Sequence, residues 1–326
     1  MLIDVHSHFI PPEGLEYLLS KPEVFGTTTT ELHGMPFLRF AGGGLHPLTP
    51  GFTDIDRRLA DMDRQGVDVQ VLSVSPAMFY YEADAGCTDQ LARICNDYAY
   101  KVTQQYPDRF RAMADVAMQD MDLALKELRR VHEEYHMNAV ETAAILPGIM
   151  PDDEYMMPFY EYCEKESVTI FLHPTFTGTE PPYDRYYNMN LIGYVQETNW
   201  ALNRLIFGGI FEKFPDLRIL ACHGGGLFPY QFGRLVHGWQ VRPETKVSCP
   251  KSPENYLGNI YYDSVTHSTK SLRFLIEGFG ADRVLTGTDY PYDMADDDPA
   301  QTLRSLELDP DTAAMIAHKT AEAVIC

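Results

Sequence analysis

Two histidines separated by one residue, His6 and His8, stand at the end of the first apolar run, in Asp4-Val5-His6-Ser7-His8. Residues two apart on an extended strand project to the same side, so both imidazoles can meet one metal ion. Three more polar groups stand where later apolar runs stop. His173 follows Phe171-Leu172, His223 follows Ala221-Cys222, and Asp289 lies in Gly287-Thr288-Asp289-Tyr290-Pro291. Taken singly, each reads equally well as a hydrogen-bonded histidine or, for Asp289, a helix cap. Four strand ends that each supply His or Asp point instead to one site.

His6, His8, His173 and Asp289 form a set of three neutral imidazoles and a carboxylate. Such a set suits one divalent ion, zinc first and manganese, iron or cobalt after it. Solvent held by the ion would be acidified. His223 is surplus to the set, and Gly224–Gly226 leave room for a substrate beside it. It is expected to carry a proton, with Asp289 as its partner in the reaction.

The elements that must position these groups are eight short runs rich in β-branched and aromatic residues, read as strands. They are Leu2–Val5, Val67–Val74, Phe110–Val116, Asn138–Thr142, Val168–Leu172, Leu217–Ala221, Asn259–Asp263 and Arg283–Thr286. Several are apolar on both faces, as parallel strands buried on both sides are. Helical period fills most of the intervals, in Ile55–Gly66, Leu91–Tyr106, Leu123–Tyr135, Tyr155–Glu166, Trp200–Lys213, Leu227–Val236 and Ser271–Phe279. Eightfold alternation of strand and helix predicts an α/β fold, a TIM-type (β/α)8 barrel. An open doubly wound sheet is disfavoured, because no glycine-rich phosphate fingerprint follows the first strand. Catalytic groups of such barrels occupy the C-terminal ends of the strands, where these histidines and Asp289 lie.

Two stretches break the rhythm, and long loop insertions are expected after strands 1 and 5. Residues 11–53 are rich in Gly, Pro, Thr and His, and residues 175–199 carry Phe176, Tyr183, Tyr186, Tyr187 and Tyr194. No second domain shows, so residues 1–326 read as one barrel.

Composition is that of an ordinary globular protein, 45% hydrophobic and 22% charged. With 26 Lys and Arg against 47 Asp and Glu, the net charge is -21, which repels phosphates and disfavours nucleic acid as a partner. An anionic substrate would need local cations. No apolar run is long enough to span a bilayer. The six cysteines form no CxxC pair and no signal peptide is visible, which predicts a cytoplasmic protein with reduced thiols.

With these residues placed, the chain resembles the amidohydrolase superfamily, most closely the branch that contains aminocarboxymuconate-semialdehyde decarboxylase. The matching stretches are Asp4-Val5-His6-Ser7-His8-Phe9, Met62–Gln70, Phe171–Pro174, Gly209–Pro215, His223-Gly224-Gly225-Gly226 through Gly233-Arg234, and Gly287–Tyr292. The resemblance implies one zinc-like ion on His6, His8, His173 and Asp289, and His223 as the acid/base. It implies that Arg234 binds a substrate carboxylate, reaching into the neighbouring site of a homodimer, and that Tyr292 lines the pocket. Arg39, the sole arginine between His8 and Arg57, matches an arginine of the first loop that binds substrate. Branches with two metals bridge them through a lysine on strand four. Here that strand reads Asn138-Ala139-Val140-Glu141-Thr142, which favours one metal, with Glu141 the group that could substitute as a bridge. The family's His-Pro-Trp-Asp becomes His173-Pro174-Thr175-Phe176, so Phe176 falls at a substrate-contacting position. The activity implied is nonoxidative decarboxylation of an aromatic or muconate-type carboxylic acid. The alternative is hydrolysis of a lactone, amide or ester, or hydration of an unsaturated acid.

Overall fold

The computed structural model describes residues 1–175 and 181–326. Eight parallel strands form the frame: β1 Ile3–Phe9, β2 Val69–Val74, β3 Phe110–Ala112, β4 Ala139–Ala143, β5 Thr169–His173, β6 Ile219–Ala221, β7 Ile260–Asp263 and β8 Val284–Leu285. Their order in space is their order in sequence, in one run of three (β1 to β3) and one of five (β4 to β8). Single bridges close the ring. Ala114 pairs with Val140 between β3 and β4, and Ser7 with Tyr290 beyond β8. The second seam is held by the Val5 N–H donating to Thr286 O at 2.9 Å and the Asp289 N–H to His6 O at 2.8 Å. The fold is therefore the expected TIM barrel.

Most predicted elements recur with shifted ends. The helix Ile55–Gln65 starts on the Asp54 carboxylate, which accepts from the Arg57 N–H, and stops at Gly66 in the left-handed region (φ 71°). The predicted helix Trp200–Lys213 begins earlier and divides, as Val195–Phe207 and Ile210–Lys213. The break falls at Gly209 (φ 78°), where a Cβ would lie 2.4 Å from Ser248 O. The excursion after β1 is ordered. It holds the helix Pro12–Leu19 and an antiparallel sheet of Thr28–Leu32, Met35–Arg39 and Leu45–Pro47.

The core has two parts. Ile3, Val5, Val69, Val71, Phe171, Leu220 and Leu285 fill the barrel interior, and Ala321, Val324 and Ile325 of the last helix pack with them. A larger shell of apolar side chains lies between the strands and the surrounding helices.

One irregularity in β1 decides where its histidines point. Strict alternation would put Ile3, Val5 and Ser7 on one face, and His6 and His8 on the other. The register against β2 slips by one residue between Asp4 and Ser7, from Asp4 opposite Gln70 to Ser7 opposite Leu72. This bulge turns His6 and His8 onto the interior face already occupied by Ile3 and Val5.

Candidate metal centre and adjoining cleft

His6 and His8 leave β1, His173 ends β5, and Asp289 follows β8. One ligand atom from each lies within 4.8 Å of all the others, and all four residues are buried. His6 Nε2 is 3.0 Å from His8 Nε2, and each of these nitrogens is 3.3 Å from Asp289 Oδ1. Each ring is oriented from its far side. His6 Nδ1 donates to Asp263 Oδ2 at 2.6 Å, His173 Nδ1 to Pro174 O at 2.9 Å, and His8 Nδ1 points at Val74 O at 3.4 Å. These partners fix the protons on Nδ1 and leave the Nε2 lone pairs aimed at one point.

Two observations show that a cation fits there. His173 Nε2 and Asp289 Oδ1 are buried with no hydrogen-bond partner among the described residues, a costly state that a metal ion would relieve. Two imidazole lone pairs 3.0 Å apart also repel unless a proton or a cation lies between them.

The strand is anchored from outside the barrel. Asp4 accepts from Thr288 Oγ1 at 2.7 Å, Gln70 Nε2 at 2.8 Å and the Thr288 N–H at 3.0 Å, so it ties β1 to β2 and to the turn carrying Asp289. Arg58 is fully buried and donates to His8 O, Gly51 O, Gln70 Oε1 and Ser7 Oγ. It holds the backbone of the HxH segment.

Electrostatics follow from this packing. Burial alone would lower His6, but the Asp289 and Asp263 carboxylates outweigh it and push the ring up to about 10. Burial lowers His8 to about 4, with charge on His6 adding to the effect, and burial also takes His173 well below its usual value. Asp289 is held well below the ordinary carboxylate range because the imidazoles around it overcome the effect of burial. The metal-free cluster therefore carries one proton beyond the neutral imidazoles, on His6, and a cation must displace it. Since His6 stays protonated up to about pH 10, each unit of falling pH below that strengthens the competing proton. Apparent metal affinity should rise about tenfold per pH unit between pH 6 and 8. Competition with a chelator of known affinity measures this, and a flat profile would contradict the assignment.

His223 opens the turn after β6 with left-handed backbone (φ 53°), and Asp289 is left-handed too (φ 65°). Non-glycine residues hold that conformation only where surroundings enforce it, commonly at functional sites. Here Asp263 does the enforcing. Its carboxylate accepts from the backbone N–H of Gly224 (2.7 Å), His223 (2.8 Å) and Val265 (3.0 Å) while facing His6. His223 Nε2 lies 3.5 Å from Asp289 Oδ2. The glycines that follow do more than clear space. A Cβ on Gly224, Gly225 or Gly226 would fall 2.7 Å from Thr266 Cγ2, 2.7 Å from the Tyr262 ring and 2.3 Å from Val195 O. They let the turn pack tightly enough to aim His223.

A cleft of about 660 Å³ opens beside this cluster, with His223 and Asp289 on its wall and Tyr194, Tyr230 and Phe274 around it. That volume is within the ~300–1,000 Å³ typical of small-molecule sites.

The remaining sequence candidates distribute unevenly. Tyr292 lies beside the metal cluster. Its ring centroid is 5.2 Å from that of His8, and its hydroxyl bonds to Ser75 Oγ (2.7 Å) and His46 Nε2 (3.1 Å). Arg39 stands exposed in the small antiparallel sheet, and Arg234 stands exposed on the helix Phe228–Val241. Neither lines the cleft within one chain. Phe176 lies outside the described residues. Glu141 is fully buried, with its nearest approach to the ligands 3.8 Å from His8 Nδ1, and burial pushes its carboxyl well above the usual range. Glu141 stands outside the four converging groups.

Sequence reasoning passed over Asp263, His46 and Arg58. Asp263 gave the same signal as Asp289, a carboxylate where an apolar run ends. His46 and Arg58 gave none, because their partners are distant in the chain.

A (β/α)8 barrel that gathers three imidazoles and a carboxylate at its strand ends has the architecture of a mononuclear metal barrel. A family model described as amidohydrolase matches residues 3–325. The chain is 32% identical over 308 residues to 2-amino-3-carboxymuconate-6-semialdehyde decarboxylase of Dictyostelium discoideum, covering 94% of this chain and 86% of that one. It is 30% identical over 261 residues to gamma-resorcylate decarboxylase of Polaromonas sp. strain JS666, covering 74% and 78%. The crystal structure of 5-carboxyvanillate decarboxylase from Sphingomonas paucimobilis superimposes with a TM-score of 0.82 at 26% identity, covering 99% of this chain and 98% of that chain. The chain belongs to the amidohydrolase family.

Proposed function

We propose that this chain is a metal-dependent nonoxidative decarboxylase, a carbon–carbon lyase acting on an aromatic or muconate-type carboxylic acid. The observation that carries the reading is the convergence of His6, His8, His173 and Asp289, two of them with buried unpartnered atoms, beside a cleft that His223 enters. These four residues would hold one divalent ion. The imidazole-rich set favours zinc, with manganese, iron and cobalt as competitors. When bound, the ion supplies a Lewis acid that anchors and polarises oxygen atoms of the substrate.

The chain's own residues account for the rest. His223, set by the Asp263-anchored turn, holds a proton at Nε2 towards the cleft and delivers it to the substrate carbon. The bond from that carbon to its carboxylate breaks, carbon dioxide leaves, and the electron pair left on carbon takes the proton. Asp289 stays ionised beside His223 and steadies the imidazolium form before transfer. Tyr194, Tyr230 and Phe274 offer flat apolar surface to a conjugated acid. The family relatives named above are decarboxylases, which supports this reading over hydrolysis or hydration. The test is incubation of metal-loaded protein with a panel of hydroxybenzoates and aminocarboxymuconate semialdehyde. Carbon dioxide release from at least one member supports the reading, and release from none, with metal content verified, contradicts it.

A homodimer belongs to the same proposal. Tyr186, Tyr187, Leu191 and Ile192 of residues 186–192, and Tyr230 of the helix Phe228–Val241, are exposed large side chains, more than a lone monomer needs to leave in water. Arg234, exposed and without an ion pair among the described residues, is free to extend towards a second copy. Light scattering coupled to size exclusion should return the mass of two chains, and a monomer at micromolar concentration would contradict this. Among the described residues no helix is long and apolar enough to cross a membrane. A cytoplasmic location is part of the same proposal, supported by six cysteines that are free thiols.

A further inference from the structure

Four imidazoles crowd the cluster, and one is held differently from the rest. His6, His8 and His173 each turn Nδ1 towards an oxygen, Asp263 Oδ2, Val74 O and Pro174 O respectively. An oxygen there accepts a proton from Nδ1 and leaves Nε2 bare, as a metal ligand requires. His223 turns Nδ1 towards sulfur instead. The hydrogen-bond partner of that nitrogen among the described residues is Cys222 Sγ, at 3.2 Å.

The ring needs such a hold. The left-handed backbone at His223 decides where the ring starts, but not which nitrogen faces the cleft. A half-turn about the Cβ–Cγ bond would exchange Nδ1 with Cδ2 and Nε2 with Cε1, and a carbon would then face Asp289. The Asp289 carboxylate opposes this from 3.5 Å, and it is shared with His6 and His8, each 3.3 Å away. The contact with Cys222 is the shorter of the two that His223 makes through its ring nitrogens.

A thiol suits this place better than a carbonyl would. It donates through S–H and accepts weakly through its lone pairs. Cys222 is fully buried, and burial holds its thiol well above the usual value, with the Asp263 and Asp289 carboxylates adding to the effect. The S–H therefore stays. It can donate to Nδ1 of the neutral ring, and the sulfur can accept from Nδ1–H of the charged ring. The contact survives both states that a proton carrier passes through. A carbonyl only accepts, and loses the contact when Nδ1 is bare. Packing gives no separate reason for sulfur. Cys222 lies among the apolar side chains of the barrel interior, where a small hydrophobic residue would serve. Of the six cysteines it alone is hydrogen-bonded to a histidine among the described residues.

We propose that Cys222 is a positioning residue, whose thiol keeps the His223 ring turned with Nε2 to the cleft in both of its protonation states. This rests on the reading of His223 as the proton carrier, but the setting of the ring can be measured without turnover.

The test is NMR of the full-length, zinc-loaded protein labelled with 15N-histidine, with the His223 signals assigned by their loss in His223→Asn. The wild type should show one sharp set of His223 ring signals that stays single as the ring titrates. In Cys222→Ala the set should broaden or double and its Nδ1 resonance should move. With an acid that the enzyme consumes, kcat of that variant should fall about tenfold or more, as small misplacements of a reacting group do, with KM within about twofold and metal at one equivalent. Cys222→Ser adds to the alanine variant one hydroxyl that both donates and accepts. It should restore the single set and bring kcat to within about threefold of wild type. A broad or doubled set in the wild type, an unchanged set in Cys222→Ala, or a serine variant whose ring signals match those of the alanine variant would overturn the proposal. The wild-type spectrum decides even where a variant does not fold. Release of carbon dioxide from no acid counts against the decarboxylase reading, whereas the ring signals alone decide the role of Cys222.

Discussion

Asp289→Ala should cost at least about a thousandfold in kcat/KM and leave the purified protein with a small fraction of its metal. The carboxylate is the one anionic member of the cluster. Its Oδ1 lies 3.3 Å from both His6 Nε2 and His8 Nε2, and its Oδ2 lies 3.5 Å from His223 Nε2. Removing it takes away a ligand, the counter-charge for the imidazoles and the partner of the proton carrier together. Loss of one anionic ligand typically lowers metal affinity by orders of magnitude, and removal of a charge-assisted partner in a dry site costs several kcal/mol more. Elemental analysis read beside the rate separates these contributions. Retention of a full equivalent of metal with normal turnover would remove Asp289 from the site. Without the carboxylate, His6 also loses the larger of the two charges that raise it. Any residual metal binding should then vary less steeply with pH than in the parent protein.

His223→Asn should give the complementary result. Metal content should stay at one equivalent, because His223 is not among the four converging groups, while kcat falls by about a hundredfold to ten-thousandfold, the usual contribution of a positioned acid. KM should change little, since the ring carries a proton rather than the substrate's weight. Asparagine preserves much of the ring's bulk and can still occupy a left-handed residue, which His223 must be. A drop in metal content equal to the drop in rate would recast His223 as a ligand.

The barrel was legible in the sequence because parallel strands buried on both faces leave apolar runs that periodicity detects, and helices of this size leave stripes. The candidate site was legible because each of the four converging groups sits where such a run stops. What periodicity did not reveal was the bulge in β1. Alternation predicts that His6 and His8 share a face, which they do, but it assigns that face opposite Ile3 and Val5. Only the one-residue slip against Gln70 and Leu72 brings all four inside. The sheet at residues 28–47 was also hidden. Its strands are mostly exposed, and none alternates between apolar and polar residues, so they leave no period to read. Asp263 was overlooked although it ends its strand as Asp289 follows another, because its role appears only once His6, His223 and Gly224 are seen around one carboxylate. Arg39 and Arg234 show the reverse case. A pattern match assigns them to substrate, whereas a single chain leaves both outside the cleft.

The central claim is that one ion on three histidines and Asp289 supports replacement of a carboxylate by a proton. Mass spectrometry of the product formed in deuterium oxide, from an acid that the enzyme consumes, tests it most directly. The account predicts loss of carbon dioxide, one deuterium on the carbon that lost it, and no oxygen gained from the solvent. A product that keeps every carbon and carries a new solvent oxygen would contradict it and would identify hydrolysis or hydration instead.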